Sequence, residues 1–183
     1  DKLHISDELE VNEIAGGGIF VTYPEVTKER ATVNIKTHLK NLDMRGRKGK
    51  LLFRLKDSDG GIVASGEKQF VVEAESERYI EEALKVTNPH LWHPYTPSLY
   101  TLECQVIEHG KIIDSRTEKI GIRSIKYTKE KGFFINGEYL YLVGANRHQS
   151  FPNIGDAAAN SMQERDVIDM KRGGYNAVRA AHY

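Results

Sequence analysis

Alternating apolar and polar residues cover most of the chain between residues 19 and 123. The run from residue 31 to residue 40 places alanine, valine, isoleucine, threonine and leucine at every second position. Residues 51–56 and 99–107 repeat the pattern, and the second of these directs Tyr100, Leu102, Cys104 and Val106 to one face, toward the core. A period of two is typical of strands that bury one face. About seven such strands predict an immunoglobulin-like β-sandwich over residues 17–126.

Two stretches interrupt this alternation. Residues 1–16 have weak periodicity and lead into the glycine run Gly16–Gly18, so we expect a linker there. Residues 45–50 read RGRKGK, a basic cluster that suits phosphate binding. Because this cluster lies between two predicted strands, a solvated loop is the simpler interpretation.

A different pattern begins after residue 126. An apolar strand from Tyr139 to Ala145 is followed by a helix and by a second apolar strand from Tyr175 to Val178. We expect the helix to start at a capping box formed by Ser161 and Glu164. Its carboxyl end is indicated by Lys171, Arg172 and Gly173-Gly174. Its apolar side consists of Val167, Ile168 and Met170. Asn136-Gly137 predicts a tight hairpin before the first strand.

Strand, helix and strand at this spacing predict a parallel crossover. Ligands of parallel α/β folds bind at the carboxyl ends of the strands. The residues predicted at those ends are polar or cationic: Asn146, Arg147, His148, Arg179 and His182. Adjacent strands are about 4.8 Å apart, so these side chains are expected to converge on one small polar ligand.

Composition excludes several classes of function. Twenty-six basic residues balance twenty-six acidic ones, so net charge favours neither nucleic acid nor an anionic membrane as partner. No apolar run approaches the ~20 residues of a membrane span, and the first residues do not form a signal peptide. The single cysteine, Cys104, is expected to be inert in the core and leaves the cellular compartment open.

Two motifs resemble the start of the catalytic barrel in family 2 glycoside hydrolases, and the β-galactosidase branch is the most similar. They are GANRHQSFP at residues 144–152 and YNAVRAAHY at residues 175–183. LWHPYTPSLY at 91–100 and GIRSI at 121–125 resemble the family's immunoglobulin-like domain and its exit strand. The resemblance covers residues 17–183. It implies a mainly β fold, a sandwich followed by the truncated first β-α-β unit of a (β/α)8 barrel at 127–183.

The resemblance also implies a reaction. A retaining β-galactosidase uses two carboxylates about 5–5.5 Å apart, which the family takes from later barrel strands. We therefore expect no catalytic residue in this chain and no activity from the chain alone. His148 and His182 correspond to histidines that bind galactosyl hydroxyls, and Arg179 to an arginine that holds substrate or catalytic carboxylates. With Asn146 they form the predicted substrate-binding set.

The expected partners are a β-galactoside and, for the whole enzyme, further copies of itself. No cofactor is expected on this chain, while a monovalent or divalent metal ion in the whole enzyme stays open. A zinc site of His148, His182 and Asp156 is a weaker alternative. We interpret Trp92 as a residue packed in the sandwich core or at a domain interface, in preference to a platform on which a sugar ring stacks. Gln149, where many members carry glutamate, leaves a β-glucuronidase as an alternative, and a non-catalytic carbohydrate-binding or adhesion module is the alternative outside enzymes.

Overall fold

The computed structural model describes residues 2–11 and 16–181, and the chain divides into two compact units, Asp1–Ser124 and Ile125–Tyr183. The first unit is a sandwich of two four-stranded sheets, as the alternation predicts. Its strands are β1 (Leu3–Ile5), β2 (Ile19–Val26), β3 (Arg30–Asn41), β4 (Arg47–Lys56), β5 (Ile62–Val72), β6 (Ser76–Thr87), β7 (Tyr100–Glu108) and β8 (Lys111–Ile120).

Strand β3 organises the first sheet. It pairs with β6 along its whole length, from the Arg30–Thr87 pair to the Asn41–Ser76 pair. On its other edge it pairs antiparallel with β2 and then with β1. The second sheet has the order β5-β4-β7-β8, and all of its pairs are antiparallel. The fold therefore needs no parallel crossover within this unit.

The core lies between the inner faces of the two sheets. Phe53 of β4 sits opposite Cys104 of β7, and both side chains are fully buried. The other inward positions predicted for β7, which are Tyr100, Leu102 and Val106, are also buried. The predicted strand faces are confirmed here. Successive side chains of a strand point to opposite faces, so the alternation in the sequence identifies the residues that face the core.

Three sequence-based interpretations of this unit are wrong in detail. Residues 3–5, expected in a linker, form β1, whose Leu3 and Ile5 are fully buried in the core. Residues 47–50 of the basic cluster belong to β4 rather than to a loop, and Arg47 pairs with Glu108 and Asp43. Residues 62–72 form one continuous strand, although the sequence pattern predicts two separate short strands, at 62–64 and at 70–74.

The second unit begins with a small antiparallel sheet in the order β11-β10-β9. Its strands are β9 (Ile125–Thr128), β10 (Gly132–Ile135) and β11 (Glu138–Tyr139). Asn136 and Gly137 connect β10 to β11 with φ angles of 50° and 82°. Two consecutive positive φ values are the requirement of a type I′ turn, so the predicted hairpin is confirmed.

The β-α-β crossover of the second unit consists of β12 (Gly144–Arg147), α1 (Asn160–Arg172) and β13 (Ala177–Ala180). Strands β12 and β13 are parallel, as predicted. The first strand is shorter and later than expected, since residues 140–143 lie outside any strand. The expected exit strand at 121–124 is likewise irregular, and a strand begins only at Ile125.

Helix α1 differs from the prediction at its start and in its orientation. Its N-cap is Ala159, which forms no side-chain capping bond, so Ser161 lies inside the helix and the capping box is wrong. The predicted end is confirmed, with Lys171 and Arg172 in the last turn and Gly173 as C-cap. Val167 and Ile168, expected on the apolar side, are exposed. The less exposed positions are Met162, Gln163, Asp166 and Met170. Among the described residues, no helix has the length and apolarity needed to cross a membrane.

Candidate functional site

The parallel strand pair brings two predicted site residues together. In the register of β12 and β13, Asn146 stands opposite Arg179. The Nη1 group of Arg179 donates a long hydrogen bond, 3.5 Å, to Oδ1 of Asn146. Both side chains are exposed, and they share an open depression of about 370 Å³ with Gly144 and Ala177. This face of the strand pair thus presents an amide and a guanidinium side by side.

Arg147 points to the other face of β12. Its Nε and Nη2 atoms lie 3.0 and 2.8 Å from the same carboxylate oxygen, Oδ2 of Asp166 on α1. The guanidinium also lies over the ring of Phe151, 5.9 Å from the ring centroid. Successive strand residues point to opposite faces, so the strand places Asn146 on the open face and Arg147 toward the helix.

His148 follows β12 immediately and lies on the helix side. It lines an open depression of about 510 Å³, together with Ala145, Asn146, Arg147, Asp166, Asp169, Met170 and Tyr175. Asn146 therefore borders two depressions, one with Arg179 and one with His148, although the sequence predicted one convergent cluster. His182 lies outside the described residues. Of the other three predicted residues, Asn146 is hydrogen-bonded to Arg179 and shares a depression with His148, while Arg179 and His148 line different depressions.

Asn176 fixes the chain just before both strands, a role that the sequence did not reveal. Its Oδ1 accepts a hydrogen bond of 2.8 Å from the backbone N–H of Val143, and its Nδ2 donates one of 2.9 Å to the carbonyl of Tyr141. Its own backbone N–H donates to the carbonyl of Val143. These bonds replace strand pairing in residues 141–143 and so determine where the β12–β13 ladder begins.

The aspartates around this strand pair already have partners. Asp166 binds Arg147, Asp169 lies within 4 Å of Arg165 and of Arg172, and Asp156 accepts a hydrogen bond of 2.6 Å from the Ser150 hydroxyl. In contrast, no ion pair joins Arg179 to a carboxylate within residues 2–11 and 16–181. Such an exposed guanidinium is suited to bind a carboxylate or a sugar hydroxyl.

The described residues were also compared with what a metal site needs. Among them, no three His, Cys, Asp or Glu side chains converge in a way that could hold an ion. The alternative zinc site included His182, which lies outside the described residues, so that alternative stays untested.

The structure also describes the surroundings of Trp92. Its side chain is half-buried, lies 5.1 Å from the Arg123 guanidinium and packs closely on Gly121. This packed position agrees with the interpretation of Trp92 as structural.

Comparison with known proteins agrees with this architecture from residue 14 to residue 183. Residues 14–123 match the model of the glycosyl hydrolases family 2, and residues 125–183 match that of the glycosyl hydrolases family 2 TIM barrel domain. The two matches meet at the division between the two compact units of the structure.

Both galactosidases and glucuronidases are similar to the chain. It is 38% identical to a beta-galactosidase of Thermoanaerobacter pseudethanolicus over 74% of the chain and 18% of that protein. It is 32% identical to a beta-glucuronidase of Bacteroides fragilis over 99% of the chain and 26% of that protein. The chain thus spans about a quarter or less of the length of these relatives.

Solved structures that resemble the chain also include both a galactosidase and a glucuronidase. A putative beta-galactosidase from Bacteroides fragilis superposes with a TM-score of 0.89 at 28% identity, over 100% of this chain and 27% of that one. The beta-glucuronidase of Bacteroides uniformis superposes with a TM-score of 0.88 at 28% identity, over 100% of this chain and 22% of that one. With its sandwich followed by the first strands of a TIM barrel, this chain belongs to the glycosyl hydrolases of family 2.

Proposed function

We propose that this chain is part of a retaining exo-glycosidase that removes terminal β-D-galactose from its substrates. The observation that carries the proposal is the adjacency of Asn146 and Arg179 at one end of a parallel strand pair. That end of the strands is where barrels of this class bind their substrates. The proposal assigns the pair to the sugar-binding wall of the active site.

The two side chains differ in what they offer a ligand. The amide of Asn146 carries both a donor and an acceptor, so it matches a sugar hydroxyl, which also does both. The guanidinium of Arg179 offers several N–H donors in one plane and a permanent positive charge. It is suited to hold a carboxylate, either one that performs catalysis or one on the substrate.

Retaining hydrolysis needs two carboxyl groups about 5–5.5 Å apart, one as nucleophile and one as general acid and base. The aspartates near β12 and β13 are bound to Arg147, Ser150 or the helix arginines. We assign none of them to catalysis, and the proposal has the two carboxylates come from other strands of the barrel. Arg179 then orients one of them, and its charge favours the ionised form that attacks the sugar.

A β-glucuronidase is the second candidate. It is supported by the glucuronidases that match the chain over 99% and 100% of its length. Glucuronate carries a carboxylate where galactose carries a neutral hydroxymethyl group, and the two sugars also differ at the 4-hydroxyl. The exposed Arg179 suits either candidate, because it can bind a catalytic carboxylate or that of the substrate.

Kinetics on two matched substrates tests the proposal. We would measure hydrolysis of an aryl β-galactoside and of an aryl β-glucuronide by this chain and by any longer polypeptide that its gene encodes. A kcat/KM at least about 100-fold higher for the galactoside, a ratio that a hydrogen-bonding site can reach, supports the proposal. The opposite ratio establishes the glucuronidase, and hydrolysis of neither substrate by a folded protein contradicts both.

The same protein also tests the binding-module alternative. Such a module would bind oligosaccharides reversibly through the sandwich without cleaving them. Among the described sandwich residues the most exposed aromatic side chains, Phe20 and Tyr95, lie on separate elements and form no row. Saturable binding that survives Arg179→Met, with no hydrolysis, would favour the module.

A further inference from the structure

The ion pair between Arg147 and Asp166 differs from the other charged contacts of α1. The Arg165–Asp169 and Arg172–Asp169 pairs have separations of 3.8 and 3.4 Å, and their arginine side chains are 82% and 77% exposed. The Arg147 side chain is only 15% exposed and directs two nitrogens at one carboxylate oxygen. Exposed ion pairs contribute little to stability. A pair that is shielded from solvent and has two charge-assisted hydrogen bonds holds its geometry.

This ion pair also links β12 to α1. No side chain of α1 is fully buried, and two of its apolar residues, Val167 and Ile168, are exposed. Within the described part of this chain, apolar packing alone therefore leaves the rotation of the helix and the strand weakly determined. The guanidinium of Arg147 lies over the Phe151 ring and also binds Asp166, so this one group has two partners.

Arg147 stands between two predicted site residues, Asn146 and His148. Because side chains alternate along a strand, fixing Arg147 toward the helix fixes Asn146 on the opposite face, next to Arg179. His148, one residue further on, lines the same depression as Arg147 and Asp166. A rotation of the strand end would move both neighbours together.

We infer that Arg147 is a positioning residue for the glycosidase site, which acts through Asp166 to aim Asn146 and His148 and does not itself bind the sugar. The inference rests on the proposed function for its kinetic consequence. Displacement of a binding group by about 1 Å can lower a rate about 100-fold, because the reacting atoms no longer align. Loss of the tether is therefore expected to lower kcat more than it raises KM.

The kinetic test compares Arg147→Met, Arg147→Lys and Asp166→Asn in the polypeptide that hydrolyses the glycoside. We expect kcat to fall at least about 10-fold in Arg147→Met and Asp166→Asn, with KM changed less than about threefold. Lysine keeps the charge but lacks the planar fork, so Arg147→Lys is expected to recover part of kcat. Arg165→Met, which removes an exposed pair on the same helix, is the matched control and should leave kcat unchanged. A kcat for Arg147→Met equal to that of the control overturns the inference.

A double-mutant cycle separates positioning from a general loss of stability. If Arg147 acts through its neighbours, Arg147→Met will cost less in a His148→Ala background than in the native one. Full additivity overturns the inference. If no glycoside is hydrolysed, the proposed function fails, and NMR of this chain still tests the tether. The chemical shifts of the Asn146 side-chain amide should then change in Arg147→Met and remain at their native values in Arg165→Met. Native shifts in both variants overturn the inference.

Discussion

The imidazole Nδ1 of His38 lies 2.8 Å from the hydroxyl oxygen of Ser6, and both side chains are buried. The same hydroxyl accepts a hydrogen bond of 3.0 Å from the backbone N–H of Gly18. On the other side of the ring, Nε2 lies 3.5 Å from a carboxylate oxygen of Glu77. Ser6 thus connects the leading segment of the chain to the central strand of the first sheet.

The first prediction concerns pH. Burial lowers the pKa of His38 below its ordinary 6.5, against the opposite effects of Glu77 and Glu10, while Lys40 and Lys36 lower it further. The unfolded chain therefore binds the proton more readily than the folded one. The stabilising contribution of neutral His38 is complete above about pH 6.5 and is lost as pH falls through the folded pKa. Urea unfolding from about pH 8 to about pH 5 measures it.

A variant pair isolates the contribution of His38. In His38→Gln the free energy of unfolding should fall less steeply below about pH 6.5 than in the native chain. His109→Asn is the control, since it removes an exposed histidine from a turn and asparagine tolerates the positive φ of 49°. Parallel pH curves for the native chain and His38→Gln would contradict the prediction.

The second prediction concerns β1. Ile5 is fully buried, whereas Leu9, four residues later, is 92% exposed. Ile5→Ala should lower the free energy of unfolding by about 2–5 kcal/mol, because it removes buried methyl groups and leaves a cavity. Leu9→Ala should change it by less than about 0.5 kcal/mol. Equal effects in denaturant titrations would mean that β1 does not belong to the core.

The third prediction concerns Cys104. Burial, with smaller contributions from Glu118 and Glu103, raises the pKa of its thiol to about 12. Only the thiolate reacts with a disulfide reagent, so the folded chain should react very slowly near neutral pH. Thiol titration before and after adding denaturant measures this difference. Rapid modification of the folded chain would show that the β4–β7 core opens readily.

The fourth prediction concerns the contact between Gly121 and Trp92. A Cβ atom on residue 121 would lie 2.7 Å from the Trp92 ring, which is too close for any side chain. Gly121→Ala should therefore destabilise the chain by about 1–3 kcal/mol, as overpacking does. Gly46→Ala is the control, because its nearest neighbour is 3.5 Å away. Thermal unfolding of both variants makes the comparison, and equal midpoints would refute the close contact.

The fifth prediction concerns Arg179 and follows from the proposed function. Arg179→Met should lower kcat/KM of the active polypeptide about 100-fold or more, the usual loss when one donor to a developing charge is removed. Arg179→Lys should lose less, because it keeps the charge without the planar fork. Arg116→Met removes an exposed arginine from β8 and should stay within about threefold of the native value. A native kcat/KM in Arg179→Met would remove this residue from the site.

Alternation along the chain was sufficient to predict the sandwich and the inward positions of β7. It could not predict β1, since three residues are too few to show a period and Leu3 and Ile5 are recognisable only once their neighbours are in place. The helix was predicted, but the side that it turns toward the strands was not. The apolar Val167 and Ile168 face outward, and Asp166 turns inward because Arg147 is there to meet it.

By itself the sequence determined the two architectures, the hairpin at Asn136-Gly137 and the polar motifs at the strand ends, because these depend on local periodicity and turn chemistry. Only the tertiary structure decided which side chains meet. The strand register places Asn146 next to Arg179, and the rotation of the helix places Asp166 where it forms an ion pair with Arg147. Register and rotation are set by contacts between segments far apart in the chain, and no local pattern encodes them.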